Sequence, residues 1–231
     1  MGEADLNPAE RDDLIAFLAQ FVTRKRRQKM NDVLDYRTRQ ITVVLEDIRN
    51  PQNSNAVMRS AECLGVQDIH LIENRYQYGP TLAVSRGATK WLSLHHYDET
   101  EWNTPNAYQS LRDAGYMVVA TTPDDGSLKL SELPVDHKIA LVFGNEEEGA
   151  TPYAIEQADA TLRLPMFGFT QSYNISVSAA FAISHLVKHL HASDIPWQLT
   201  ENERQELKLD WYRKTIENYE LVETRFYSER E

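Results

Sequence analysis

No stretch of this chain approaches the roughly 18 consecutive apolar residues that a membrane-spanning helix needs. Cysteine is nearly absent. The single Cys63 excludes an internal disulfide framework and fits a reducing compartment. It lies in the apolar stretch AECLGV and is expected to be a buried structural thiol. Seven histidines are present, yet none forms H-E-x-x-H or a Cys/His zinc spacing. The pair His95-His96 and the trio His185, His189 and His191 are read as strand and helix surface residues, and no metal is expected. No G-x-G-x-x-G follows a strand and no G-x-x-x-x-G-K-[ST] occurs, so neither a Rossmann dinucleotide site nor a P-loop has support. A hydrolase built on Ser172 or Cys63 would need a nucleophile elbow or an oriented triad, and neither is visible. The opening residues, MGEADLNPAERDD, are acidic and polar, unlike a secretory or organellar leader. The expectation is a soluble, cytoplasmic protein with no membrane partner.

Positive charge is scarce overall: the formal net charge is −11, which opposes binding to a polyanion. Distribution matters more than the sum. Arg24, Lys25, Arg26, Arg27 and Lys29 crowd together, followed by Arg37 and Arg39. Alone, such a run reads as a solvated helix end; it becomes a nucleic-acid contact only if other features point to one.

What is present is enough apolar material, 42% of 231 residues, for one core with helical extensions. Asn7, Pro8 and Glu10 form an N-terminal helix start, and Leu14, Ile15, Leu18, Phe21 and Val22 recur on one face. The basic run is placed at the far end of that helix, where cations suit its dipole. From residue 41, short β-branched runs alternate with helical stretches, which signals an α/β domain with a parallel sheet. The strand candidates are Ile41–Glu46, Asp68–Glu73, Leu92–Tyr97, Tyr116–Thr121, Ile139–Phe143 and Thr161–Leu164. Thr104-Pro105 and Thr151-Pro152 start helices, whereas Gly65 and Gly115 end them. Thr200 with Glu203 opens a long helix striped by Leu207, Trp211, Tyr212, Ile216 and Tyr219. The expected organisation is a helical arm over 1–40, a catalytic domain over 41–195 and a C-terminal helix over 196–231.

Polar residues gather in three segments where loops should leave the carboxyl ends of strands, the place where open α/β sheets bind ligands. The first runs from Asp47 to Arg59. Asn53 or Ser54 can cap its helix, and Arg59 falls off the stripe of Ala56, Val57, Ala61 and Leu64, placed to meet a phosphate or simply solvent. In the second, Leu141 to Thr151, Gly144 and Gly149 permit a tight loop. One of Glu146, Glu147 and Glu148 could face a cationic ligand there, the other two forming a solvated acidic tip. In the third, Leu164 to Ala182, Asn174 caps a helix. Burying Gln171, Ser172 and Asn174 there would be costly without partners, which favours a site.

These segments, in this order, resemble the three motifs of the SpoU/TrmH family of RNA 2′-O-ribose methyltransferases in the SPOUT class. Asn53 to Arg59 resembles N-x5-R; Gly144, Glu146 and Gly149 resemble G-x-E-x-x-G. Pro165, Met166, Gly168, Ser172, Asn174, Ile175, Ser176 and Ala179 resemble the third block. The resemblance implies a SPOUT α/β-knot, a deep trefoil knot in a mostly parallel sheet, which the default of unknotted connections would not supply. It implies S-adenosylmethionine held by Thr121, Gly144, Glu146, Gly149, Leu164 and Tyr173, with Tyr173 where the family usually has leucine. It implies that Arg59 activates a ribose 2′-hydroxyl, as base or as electrostatic stabiliser, with Asn53, Glu146, Ser172 and Asn174 organising the site. A homodimer sharing its sites is implied, as is an RNA partner. With RNA indicated, Arg24, Lys25, Arg26, Arg27 and Lys29 become candidate phosphate contacts. The favoured substrate is tRNA guanosine 18 in the D-loop; ribosomal RNA, or an inactive RNA-binding module, are the alternatives.

Overall fold

Six buried residues in a row, Ile41–Glu46, form strand β1 in the interior of a parallel sheet. The computed structural model describes residues 6–78, 87–124 and 126–230; the first five residues of the acidic N-terminus lie outside this set. Among them the chain forms two compact units, Thr38–Trp197 and the pair of segments Met1–Arg37 with Gln198–Glu231.

In the first unit, β1 is joined by β2 (Asp68–Ile72), β3 (Ser93–Tyr97), β4 (Tyr116–Thr121), β5 (Leu128–Lys129), β6 (Lys138–Phe143) and β7 (Ala160–Arg163). Their order is β3-β2-β1-β6-β4-β7-β5, and every described pairing is parallel. A parallel sheet needs cover on both faces, which explains the mostly apolar sequences of β1 and β6. Helices α3 (Pro51–Cys63) and α6 (Ile175–His191) cover one face, over Val43, Leu45, Leu141 and Phe143. Helices α4 (Thr104–Asp113) and α5 (Pro152–Glu156) belong to the other, with Val44, Val118, Ala120 and Val142. The two-residue β5 is an edge strand that the sequence pattern does not reveal.

The second unit is helical: α1 (Pro8–Leu18), α2 (Arg24–Leu34), α7 (Glu201–Arg213) and α8 (Tyr219–Ser228). Asn7 caps α1 by accepting from the Glu10 amide, and Thr200 with Glu203 forms the expected capping box of α7. Leu14, Ile15 and Leu18 are buried as expected, but Phe21 lies beyond the helix and is exposed.

Four expectations are corrected. The basic run does not end α1: Thr23 caps a new helix, and Arg24–Lys29 occupy the first turns of α2, where the dipole disfavours cations. The C-terminal stripe is split between two helices: α7 ends at Arg213, Ile216 lies in the turn that follows, and α8 starts after Asn218, which is left-handed (φ 52°). Asn50, not Asn53 or Ser54, caps α3; Pro51 follows at the first position, so Asn53 sits inside the first turn. Cys63 is exposed, since the buried face of α3 is Ser54, Val57, Met58 and Ala61. Arg37 is buried over the Trp211 ring, and Arg39 is ion-paired with Asp68 at 3.0 Å, so neither extends the basic run. Among the described residues no helix is long and apolar enough to cross a membrane.

Candidate active site

The carboxyl ends of β1, β6, β4 and β7 lie side by side, and the loops leaving them carry the three polar segments. Two buried carboxylates at the end of β1 organise these loops. Glu46 accepts from the Thr104 hydroxyl (2.7 Å) and from the Thr151 amide and hydroxyl (both 2.9 Å), tying the starts of α4 and α5 to β1. Asp47, in a left-handed conformation (φ 53°), accepts from the Asn74 and Arg75 amides at 2.8 Å each and fixes the loop after β2. Both are desolvated carboxylates satisfied by hydrogen bonds, the condition under which burial is tolerated. Neither was legible as an organiser, because their partners lie 27 to 105 residues away in sequence.

The loop after β6 is tight for a stated reason. A Cβ on Gly144 would lie 2.0 Å from the Ala150 nitrogen, so only glycine permits this approach, and Gly149 turns the chain at φ +75°. Asn145 braces the loop: its side chain donates to the Asp47 carbonyl (2.9 Å) and accepts from the Glu147 amide (2.9 Å).

This geometry aims Glu146 at the first segment. Its carboxylate accepts from the Asn53 amide side chain (2.8 Å) and from the Arg49 and Asn50 backbone amides (3.1 and 3.2 Å). Asn53 in turn accepts from Asn174 Nδ2 at 3.2 Å, while Asn174 Oδ1 caps α6 by accepting from the Ser176 amide (2.9 Å). Residues 93 and 121 positions apart are thus joined in one relay. Partial burial would raise the Glu146 pKa, but the bonds from Asn53 and the backbone amides outweigh it and hold the carboxyl below its ordinary value.

The other expected residues are not all in this relay. Arg59 is exposed on α3 and borders an open groove of about 840 Å³ whose floor includes Leu64, Val177, Ala180 and Phe181. Ser172 is exposed between β7 and α6 and is not part of the relay. Gln171, Ser172 and Asn174 are all exposed, so no burial cost arises here; Asn174 is engaged by capping. Glu147 and Glu148 form the expected solvated tip, and each is paired with an arginine, Arg49 (3.0 Å) and Arg75 (2.7 Å).

Thr121, Gly144 and Leu164 lie at or just past the ends of the neighbouring strands β4, β6 and β7. Such strand ends are where open parallel sheets bind ligands. The Thr121 hydroxyl donates to the Val142 carbonyl (2.8 Å), and the Tyr173 hydroxyl donates to the Pro165 carbonyl (2.8 Å), closing the 164–174 loop on itself. Glu146 has its oxygens committed to the first segment. In the helical unit, Arg24, Lys25, Arg26 and Lys29 are exposed, whereas Arg27 is half-buried beside Tyr212.

The SpoU rRNA Methylase family matches residues 40–184, which contain all of these loops. The chain belongs to that family. Its fold follows too. A crystal structure of the A. aeolicus TrmH/SpoU tRNA modifying enzyme superposes with a TM-score of 0.74 at 23% identity, covering 84% of this chain and 98% of that one. A tRNA (guanosine(18)-2'-O)-methyltransferase of Borreliella burgdorferi is 36% identical over 90% of this chain and 94% of its own length. An AdoMet-bound rRNA methyltransferase from Sinorhizobium meliloti shares the fold at TM-score 0.59 and 23% identity, over 68% of this chain and 60% of that one. The family assignment gives the relay of Glu146, Asn53 and Asn174 a place: each residue stands in a different one of the three segments that resemble family motifs.

Proposed function

We propose that this protein methylates the ribose 2′-hydroxyl of guanosine 18 in the tRNA D-loop, using S-adenosylmethionine as donor. The observation that carries this reading is the Glu146–Asn53–Asn174 relay, which binds the three motif segments into one site at the carboxyl edge of the sheet. The choice of tRNA rests on the Borreliella burgdorferi relative, similar along nearly the whole of both chains.

The residues fit the donor. Loop backbone at Gly144, Gly149 and Leu164 gathers beside Thr121 at adjoining strand ends, and the absence of a Gly144 side chain lets the loops close up. These groups would hold S-adenosylmethionine through main-chain bonds, which explains why Tyr173 can stand where leucine is usual. When bound, it supplies an electrophilic methyl carbon on a sulfonium sulfur. Arg59 is read as the electrostatic stabiliser: a guanidinium donates hydrogen bonds and holds its charge, so it steadies a developing 2′-oxygen anion and grips the neighbouring phosphate. Asn53 and Asn174 orient the ribose, and Glu146 positions them. Since the cationic side chain provides the electrostatics, EDTA should leave activity unchanged.

After β7 the chain returns so that α6 packs on α3, which fits the family's trefoil knot. The groove beside Arg59 exposes Val177 and Phe181, each about half accessible, on the surface of α6. We assign this face to a second copy of the chain, which would complete the site around Arg59. Arg24, Lys25, Arg26, Arg27 and Lys29 would hold RNA phosphates, and a cytoplasmic location follows from a tRNA substrate.

Mass spectrometry of tRNA and rRNA nucleosides from cells with and without the gene tests the reading. Loss of 2′-O-methylguanosine from tRNA alone is expected; loss from rRNA alone would transfer the activity to ribosomal RNA.

A further inference from the structure

Beside the relay lie two cation–carboxylate pairs that the reaction as described does not use. Arg49 Nη1 meets Glu147 Oε1 at 3.0 Å, and Arg75 Nη2 meets Glu148 Oε2 at 2.7 Å, with Arg75 Nε 3.5 Å from Asp47. All four side chains are about half to three-quarters accessible, yet the backbone beneath every one is fixed. The Arg49 amide donates to Glu146, the Arg75 amide to buried Asp47, and the Glu147 and Glu148 amides to Asn145. Rigid backbones under solvated side chains keep the guanidiniums in register while leaving them exchangeable.

We propose that Arg49 and Arg75 bind phosphates of the RNA substrate, and that Glu147 and Glu148 occupy them until those phosphates arrive. The inference rests on the RNA methyltransferase reading above. Exposed ion pairs add little net stability, so exchanging one carboxylate for another anion is nearly free. A phosphate matches the guanidinium fork at least as well, and it is presented in a series that a single carboxylate cannot match. Arg49 immediately precedes the cap of α3, and Arg59 lies eight residues beyond Pro51 on that helix, about 12 Å along its axis. The pair therefore addresses phosphates other than the one Arg59 would grip. In a chain of net charge −11, unpaired Glu147 and Glu148 would repel the substrate at the rim of its own site. Pairing cancels that repulsion, and only a ligand with several phosphates gains enough to displace both carboxylates.

The test uses the full-length protein, with an in vitro transcribed tRNA and, in parallel, an rRNA fragment, across a salt series. Arg49→Ala/Arg75→Ala should bind the methylated RNA at least tenfold more weakly, with the slope of log K against log salt reduced by about 1.5. Glu147→Gln/Glu148→Gln should bind it severalfold more tightly. Both should keep wild-type S-adenosylmethionine affinity and Tm. The opposite signs matter, because pairs that merely brace loops would make both variants weaker. Equal weakening, or no change in either, overturns the proposal. If wild-type protein methylates only the rRNA fragment, the tRNA assignment fails while the sign test still applies to that RNA. If it methylates neither, both readings fall.

Discussion

Glu146 is the residue whose removal the geometry makes easiest to compute. Glu146→Ala deletes one acceptor group serving three donors: Asn53 Nδ2 and the amides of Arg49 and Asn50. Hydrogen bonds to a charged acceptor contribute about 1.5–3 kcal/mol each when buried, but this carboxylate is only half-buried and water can replace part of what is lost. A total of about 2 kcal/mol follows, small against the ~5–15 kcal/mol that holds a domain, and worth a Tm decrease of about 4–8 °C in a chain of this size. Activity should suffer more than stability. With Glu146 gone, Asn53 loses its anchor and Asn174 keeps only its role as helix cap. A misplacement on the order of 1 Å at a reacting centre costs about a hundredfold in rate. Glu146→Gln is not a rescue, because its Nε2 would point a donor at backbone N–H donors. The assay is single-turnover methylation with saturating RNA and cofactor, alongside thermal melting. A Glu146→Ala variant with kcat within twofold of wild type would refute the reasoning that the relay orients the site.

Other outcomes follow from the same structure. Arg59 is exposed, so Arg59→Ala should leave Tm and cofactor affinity intact while lowering kcat about a hundredfold, measured in the same single-turnover assay; Arg59→Lys should also be poor. Replacing exposed Arg24, Lys25 and Lys29 by Gln should reduce the salt slope of RNA binding by about 2–3, without changing cofactor binding; an unaltered slope returns this run to plain surface. His70, buried between His95 and Tyr97, has its pKa pushed down to about 4, chiefly by burial and then by His95. It stays neutral in the fold while the unfolded chain protonates near pH 6.5. Stability is therefore full above that pH and falls by about 3 kcal/mol as pH drops toward 4. Denaturant titrations across this window should show the slope in wild type and a flatter one in His70→Gln. Phe181→Asp should convert a sedimenting dimer to a monomer and abolish activity; a fully active wild-type monomer would contradict the shared site.

Local patterns in the sequence translated directly into structure where one energetic term dominated. β1 and β4 have the expected ends because largely buried parallel strands read as mostly apolar runs. The caps at Asn7, Thr151, Asn174 and Thr200 form because their side chains satisfy amides only two or three residues away. Two departures from the expected pattern have a local cause. Thr23 is itself a good cap, which starts a new helix before Arg24. Cys63 lies two residues past buried Ala61, about 200° round the helix, and so faces outward. The break between Arg213 and Tyr219 carries no glycine or proline to mark it. The site itself was visible as three polar segments, but not as a connected object. What joins Glu146 to Asn53 and Asn53 to Asn174 is the order of strands in the sheet, and no periodicity encodes that order. Arg49 and Arg75 were invisible as partners of Glu147 and Glu148 for the same reason.

The central claim is methyl transfer to one ribose hydroxyl, and a single comparison tests it most directly. Two tRNAs, identical except for guanosine or 2′-deoxyguanosine at position 18, are incubated with the protein and methyl-labelled S-adenosylmethionine, then digested to nucleosides. The account predicts labelled 2′-O-methylguanosine from the first tRNA and no label in the second. Equal labelling of both, or label on a base, would contradict it.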